Sequence, residues 1–269
     1  MTQPPVRKKI SITRLREMKA AGEKIACLTA YDATFGRVLD EAGVDVILVG
    51  DSLGMVMQGH DSTLPVTVAD MIYHSANVRR GVERAMLMAD MPYMSYATPE
   101  QALTTAARLM SEGRAQMVKL EGGGWVAGTV RLLTERGIPV CGHLGLQPQS
   151  IHRLGGYRVQ GRDEKAAEQI RKDAKLLEEA GAGLIVLEAV PAALAGTITQ
   201  ELSIPTIGIG AGLDCDGQIL VLQDMLGLYP KPPKFAKNFM DGAGSIEQAV
   251  KHYVAAVKAR TFPGPEHSY

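Results

Sequence analysis

Cysteine is scarce in this chain, and Cys27, Cys141 and Cys215 are odd in number, far apart and set in apolar or glycine-rich surroundings. That pattern argues against a disulfide framework and for reduced thiols in a cytoplasmic protein. Aromatic residues make up only 5%, and 29 basic residues balance 29 acidic ones. Neither a base-stacking platform nor a phosphate-tracking basic face is indicated, so nucleic acid is not an expected partner. Long apolar runs are missing too: the basic start at 1–9 is followed by no signal-like core, and no segment reaches the roughly 18 uninterrupted apolar residues of a spanning helix. Export and membrane insertion are not expected. What is present, 46% hydrophobic and 22% charged residues over 269 positions, suits one globular unit with a sizeable core.

Short β-rich apolar runs recur at 25–30, 44–50, 85–89, 117–120, 140–143, 184–187, 206–209 and 219–222. Amphipathic helical patterns alternate with them at 32–42, 66–80, 99–112, 126–136, 163–180, 192–201 and 245–259. Thr98-Pro-Glu-Gln101 is a helix start signal, and Gly43, Gly113, Gly137 and Gly181 stand where left-handed C-caps belong. Eight such units without a linker predict an α/β fold, one (β/α)8 barrel over 1–269 with short flexible ends at about 1–9 and 262–269. A doubly wound open sheet is the alternative. Paired methionines at Met55, Met57, Met86 and Met88 read as core packing.

In such barrels the C-terminal strand ends carry the chemistry. Asp51 ends the second strand, Asp90 the third and Glu121 the fourth. Adjacent strands lie about 4.8 Å apart, so acids at one height on three of them could converge on one ion. Oxygen ligands without His or Cys select a hard metal, Mg²⁺ first and Mn²⁺ second. Any one of these acids alone could equally cap a helix or pair with a lysine; Asp45, at a strand start, and Asp70, in a helix, lack the strand-end position altogether.

Lys119 stands two residues before Glu121 and therefore shares its face of the strand, where it would bind a substrate oxyanion or neutralise the acids. Glu188 ends the sixth strand among apolar neighbours, as suits a general base, with helix capping as the alternative. His143 ends the fifth, open to proton transfer, ligand binding or structural hydrogen bonding. The glycines at 208–212 could form an anion nest but lack a dinucleotide fingerprint's spacing; those at 122–124 and 155–161 read as turns or a lid.

Several long stretches, in order, carry a resemblance: Val49-Gly-Asp-Ser-Leu-Gly-Met55, Asp61-Ser-Thr-Leu-Pro-Val-Thr67, Val118-Lys-Leu-Glu-Gly-Gly123, Gly142-His-Leu-Gly-Leu-Gln-Pro-Gln-Ser150, Leu154-Gly-Gly-Tyr-Arg-Val-Gln-Gly-Arg162 and Ile207-Gly-Ile-Gly-Ala-Gly212 with Cys215-Asp-Gly-Gln218. Over about 10–237 the chain resembles the ketopantoate hydroxymethyltransferase family. That resemblance implies a barrel of the phosphoenolpyruvate/pyruvate type. It also implies transfer of a hydroxymethyl group from 5,10-methylenetetrahydrofolate to 3-methyl-2-oxobutanoate through a Mg²⁺-stabilised enolate, giving 2-dehydropantoate for coenzyme A synthesis. Asp51, Asp90 and Glu121 would be the metal acids, Asp51, Ser52, Asp90 and Lys119 would surround the keto acid, and Glu188 would accept the proton. A decamer built as a pentamer of dimers is implied as well. Pro92-Tyr-Met-Ser95 departs from the family's usual Pro-Phe-Gly-Ser, so Met94 is expected to narrow or stiffen that loop.

Overall fold

The computed structural model describes residues 9–269, so all of the expected flexible start except Lys9 lies outside the described residues. Eight strands form the centre: β1 (Ile25–Thr29), β2 (Val46–Val49), β3 (Met86–Asp90), β4 (Met117–Glu121), β5 (Val140–Gly145), β6 (Leu184–Glu188), β7 (Thr206–Ile209) and β8 (Gly217–Leu220). They are parallel, pair in chain order and close where β1 pairs with β8, which sets the open-sheet alternative aside. The largest departure from expectation is β8. Leu222 does not continue that strand but opens the short helix Leu222–Met225, its N–H donating to Thr29 Oγ1 at 2.9 Å.

Strand alternation sorts the side chains into two cores. Ile25, Cys27, Val46, Leu48, Met86, Met88, Met117, Cys141, Leu184, Val186 and Ile207 fill the barrel interior. Their neighbours Ala26, Leu28, Ile47, Val49, Leu87, Val118, Leu120 and Ile185 face the surrounding helices. Met86 and Met88 are thus core, as expected, but Met57 is 46% exposed. All three cysteines are free and buried.

The long helices lie where the periodicity places them, within about two residues at either end: Ala33–Ala42, Val68–Gly81, Pro99–Ser111, Ala127–Glu135, Glu164–Glu179, Ala192–Glu201 and Ile246–Lys258. Asp32, Thr67, Thr98, Asp163 and Ser245 cap five of them by accepting a backbone N–H three residues on. Gly43, Gly137 and Gly181 take the left-handed conformation expected of them, but after Pro99–Ser111 it is Arg114, not Gly113, that does so. A further helix, Ile12–Ala20, went unread because only Leu15 and Met18 of its nine residues are buried, too few to draw an apolar stripe. Those two side chains join Ile10 and Ile25 in the interior cluster, and Lys19 ties the helix to Asp216 at 2.8 Å.

Residues 262–269, for which a flexible end is expected, pack onto the barrel. Phe262 is buried between Phe239 and Tyr253, and Ala192 N–H donates to the Tyr269 carbonyl at 2.8 Å. Among the described residues no helix is long and apolar enough to cross a membrane.

Candidate active site

The inward alternation that builds the apolar interior continues to the strand ends and there changes chemistry. Asp90 follows Met88 on β3, Lys119 and Glu121 follow Met117 on β4, His143 follows Cys141 on β5, and Glu188 follows Val186 on β6. Each polar group is thus delivered to the mouth by the same two-residue period that buries the apolar ones. Asp51 arrives differently. The chain turns after Val49, and Asp51 N–H donates to Asp90 Oδ2 at 3.0 Å. Gly50 makes that approach feasible: a Cβ there would stand 2.9 Å from Ser52 Oγ and 3.4 Å from Asp90 Oδ2.

Barrel stagger separates the three acids in height. Asp90 pairs in register with Lys119, whereas Glu121 pairs with His143. Lys119 Nζ therefore donates to Asp90 Oδ1 at 2.5 Å. Among the described residues no three His, Cys, Asp or Glu side chains stand ready around one point, so the expected three-acid cluster at one height is not preformed. Asp51 and Asp90 form the close pair, and Glu121 stands beside it.

A residue with no expected role knits them together. Gln149, 7% exposed, donates its side-chain N–H groups to Asp51 Oδ2 at 2.7 Å and the Met91 carbonyl at 3.0 Å. Its backbone N–H donates to Glu121 Oε2 at 3.0 Å, and its amide oxygen accepts from Tyr96 Oη at 2.5 Å. Being untitratable and on the short 3₁₀ helix Pro148–Ser150, it carried no chemical signal beyond its place in a recognised stretch. Ser52 Oγ lies 2.9 Å from Tyr31 Oη. His143 sits between two acids, Nδ1 3.6 Å from Glu121 Oε1 and Nε2 3.2 Å from Glu188 Oε2, without the alignment of a hydrogen bond to either.

Electrostatics reflect this crowding. Burial, and then the neighbouring Asp90 charge, push Asp51 up to about 7, with Lys119 and Gln149 pulling the other way. Burial, and then Asp51, hold Glu121 well above the usual carboxylate range. Burial alone would lower Lys119, but Asp90, Glu121 and Asp51 outweigh it and keep the ammonium protonated. Burial and Lys119 hold His143 down, hence neutral. One lysine faces more than one buried acid, and Glu121 Oε1 has no hydrogen-bond partner. A divalent cation at Asp51 and Asp90, completed by water and substrate oxygens, fits that all-oxygen donor set.

Glu188 ends β6 at the rim, its side chain 14% exposed. The chain reverses directly behind it at Ala189, a non-glycine residue with φ 46°. That conformation is locked by Ala189 N–H donating to the Ile209 carbonyl at 2.8 Å and Gln160 N–H donating to the Ala189 carbonyl at 2.9 Å. Asp51, Asp90, Lys119, Glu121, His143 and Glu188 open into one cavity of about 720 Å³ that also takes in Ser52, Met55, Tyr157, Asp224 and Tyr269. Tyr157 Oη reaches Met55 Sδ at 3.5 Å, so Met55 belongs to the cavity wall rather than to the core.

A closed parallel barrel with acids, a lysine and a strand-end glutamate around one mouth defines a (β/α)8-barrel enzyme working at its C-terminal face. Solved structures agree on the fold. Phosphonopyruvate hydrolase superposes with a TM-score of 0.62 at 12% identity over 81% of this chain and 84% of its own. For 2,3-dimethylmalate lyase, a member of the PEP mutase/isocitrate lyase superfamily, the TM-score is 0.54 at 18% identity over 76% and 70%. The sequence comparison is more specific. Residues 9–265 match the ketopantoate hydroxymethyltransferase family. The 3-methyl-2-oxobutanoate hydroxymethyltransferase of Thiobacillus denitrificans is 61% identical over 97% of this chain and 99% of its own. That of Methylobacillus flagellatus is 62% identical over 97% and 100%. The chain belongs to the ketopantoate hydroxymethyltransferase family.

Proposed function

We propose that the protein transfers a hydroxymethyl group from 5,10-methylenetetrahydrofolate to 3-methyl-2-oxobutanoate, giving 2-dehydropantoate and tetrahydrofolate for coenzyme A synthesis. Beside the family membership, the observation that carries this reading is the buried Asp51–Asp90–Lys119 group facing Glu188 across one cavity. A 2-oxo acid needs this combination: charge compensation at its oxygens and a base at the adjacent carbon. Asp51 and Asp90 would hold Mg²⁺, with Glu121 beside them; when bound, the ion supplies Lewis acidity to the keto and carboxylate oxygens.

Lys119, held protonated and anchored on Asp90, offers a fixed positive charge to the substrate's oxyanion, and Ser52 offers a hydroxyl. Glu188 takes the C3 proton. His143, neutral and 3.2 Å from Glu188, stands between Glu188 and Glu121. One carbon–nitrogen bond of the folate's methylene bridge opens as C3 bonds to that carbon, and water then displaces the remaining nitrogen, leaving the hydroxymethyl group on C3 and releasing 2-dehydropantoate and tetrahydrofolate. The same reading carries the decamer, as a pentamer of dimers, and a cytoplasmic site of action, which the free buried cysteines suit.

The test is hydrogen exchange at C3 of the keto acid in D₂O, followed by NMR without folate. Wild-type protein with Mg²⁺ should exchange the proton. Glu188→Gln should slow exchange by about 10²- to 10⁴-fold while keto acid still binds. Normal exchange in that variant would remove Glu188 from the base role.

A further inference from the structure

Asp224 is a charged side chain that the chemistry above leaves unused. It is only 8% exposed, lines the same cavity as Glu188, and its carboxylate has neither a hydrogen-bond nor an ion-pair partner among the described residues. An acid placed for stability would be expected to have found one, as Asp45 at the opposite end of the barrel has in Ala26 N–H, Arg84 and Lys258. Its position is fixed rather than adventitious: β8 ends, the chain enters Leu222–Met225, and Leu222 N–H anchors the turn on Thr29 Oγ1. Burial, and then the Glu188 charge, push its carboxyl up to about 6, so the two acids sense each other within the cavity.

We propose that Asp224 is the recognition residue for the pterin of the one-carbon donor, its carboxylate accepting from the 2-amino group and N3–H of the 2-amino-4-oxo ring. The inference rests on the hydroxymethyl-transfer reading and adds the folate-contacting residue to it. A carboxylate with both oxygens unengaged is complementary to two parallel N–H donors, the pairing that makes such contacts both strong and directional. Its surroundings suit a flat heterocycle, because Val221, Tyr229, Phe235 and Tyr269 line the same cavity and supply apolar and aromatic faces. Asp224 and Glu188 line the same cavity, and that placement sets the orientation. The pterin's amino edge lies on the side of the bicycle opposite the nitrogen that carries the one-carbon unit, so an edge docked at Asp224 leaves that unit facing inward, toward the carbon that Glu188 deprotonates.

The experiment is calorimetric titration of the full-length protein with tetrahydrofolate and with its analogue lacking the 2-amino group. Wild type should bind tetrahydrofolate about ten- to a hundredfold more tightly than the analogue, the range for hydrogen bonds to a buried charge. Asp224→Asn and Asp224→Ala should weaken tetrahydrofolate by a similar factor and abolish the discrimination. A wild type that binds both ligands equally overturns the proposal without recourse to any variant. So does a variant that melts like wild type and still discriminates. A wild type that binds no tetrahydrofolate at all instead sinks the hydroxymethyl-transfer reading on which the proposal rests.

Discussion

Replacing Gln149 with leucine keeps the side chain's volume and removes its polar contacts. Gln149 gives one side-chain N–H to Asp51 Oδ2 and another to the Met91 carbonyl, and accepts from Tyr96. The bond to Asp51 is to a buried carboxylate, worth roughly 1.5–3 kcal/mol, and the orphaned carbonyl adds a penalty of about 1 kcal/mol or more. A loss of about 3 kcal/mol should lower Tm by about 6–12 °C in a protein of this size. The functional effect has a sign that stability alone lacks. Gln149 holds Asp51 down, so its removal drives that carboxyl further above about 7 and lets protons compete with the cation. Mg²⁺ titration of Gln149→Leu should show affinity about ten- to a hundredfold weaker at pH 7, with a smaller deficit at pH 9, where Asp51 is ionised again. Wild-type affinity at pH 7, or a deficit that does not shrink with pH, would refute the assigned link between Gln149 and Asp51.

Asp90→Ala should weaken Mg²⁺ and keto acid together by at least tenfold, since Asp90 orients both Asp51 and Lys119; unchanged affinity for both in calorimetry would argue against the pair as the metal site. Metal-free protein should lose a few kcal/mol of stability between about pH 4 and pH 7. Asp51 binds its proton more tightly folded than unfolded, so its contribution is complete at low pH and disappears as pH rises through the folded value near 7. Urea midpoints across that range measure the loss, and saturating Mg²⁺ should reverse it. Met94 has φ 60° and is 55% exposed, a left-handed residue where the family resemblance calls for glycine. Met94→Gly should therefore stabilise the protein by about 0.5–1 kcal/mol, read as a higher urea midpoint; a lower one would show that the methionine side chain contributes more than its backbone strain removes.

The barrel was legible because every strand except the seventh announces itself twice, by its own apolar run and by the amphipathic helix after it. Strand ends gave up Asp90, Lys119, Glu121, His143 and Glu188 through a period of two. Height was not legible. Stagger between β3 and β4 puts Lys119 rather than Glu121 opposite Asp90, and nothing local in either strand encodes that offset. Gln149 and Tyr96 escaped because neutral hydrogen-bonding side chains outside the strands and long helices look alike whether they tie acids together or face water. The helix at Ile12–Ala20 escaped because a helix plugging a barrel end needs to bury only two side chains. Asp224 stood just past the last expected strand, in a segment read as the end of β-structure rather than as a cavity wall.

The central claim is a carbon-transfer reaction at one mouth, and isotope tracing tests it most directly. Protein, 3-methyl-2-oxobutanoate and 5,10-methylenetetrahydrofolate carrying ¹³C in its methylene group would be incubated with Mg²⁺, with and without chelator, and followed by NMR. The label should appear in the hydroxymethyl carbon of 2-dehydropantoate as tetrahydrofolate forms, stop when the cation is chelated, and resume when Mg²⁺ is restored. Cleavage of a 2-oxo acid without folate, or product without label, would contradict the account.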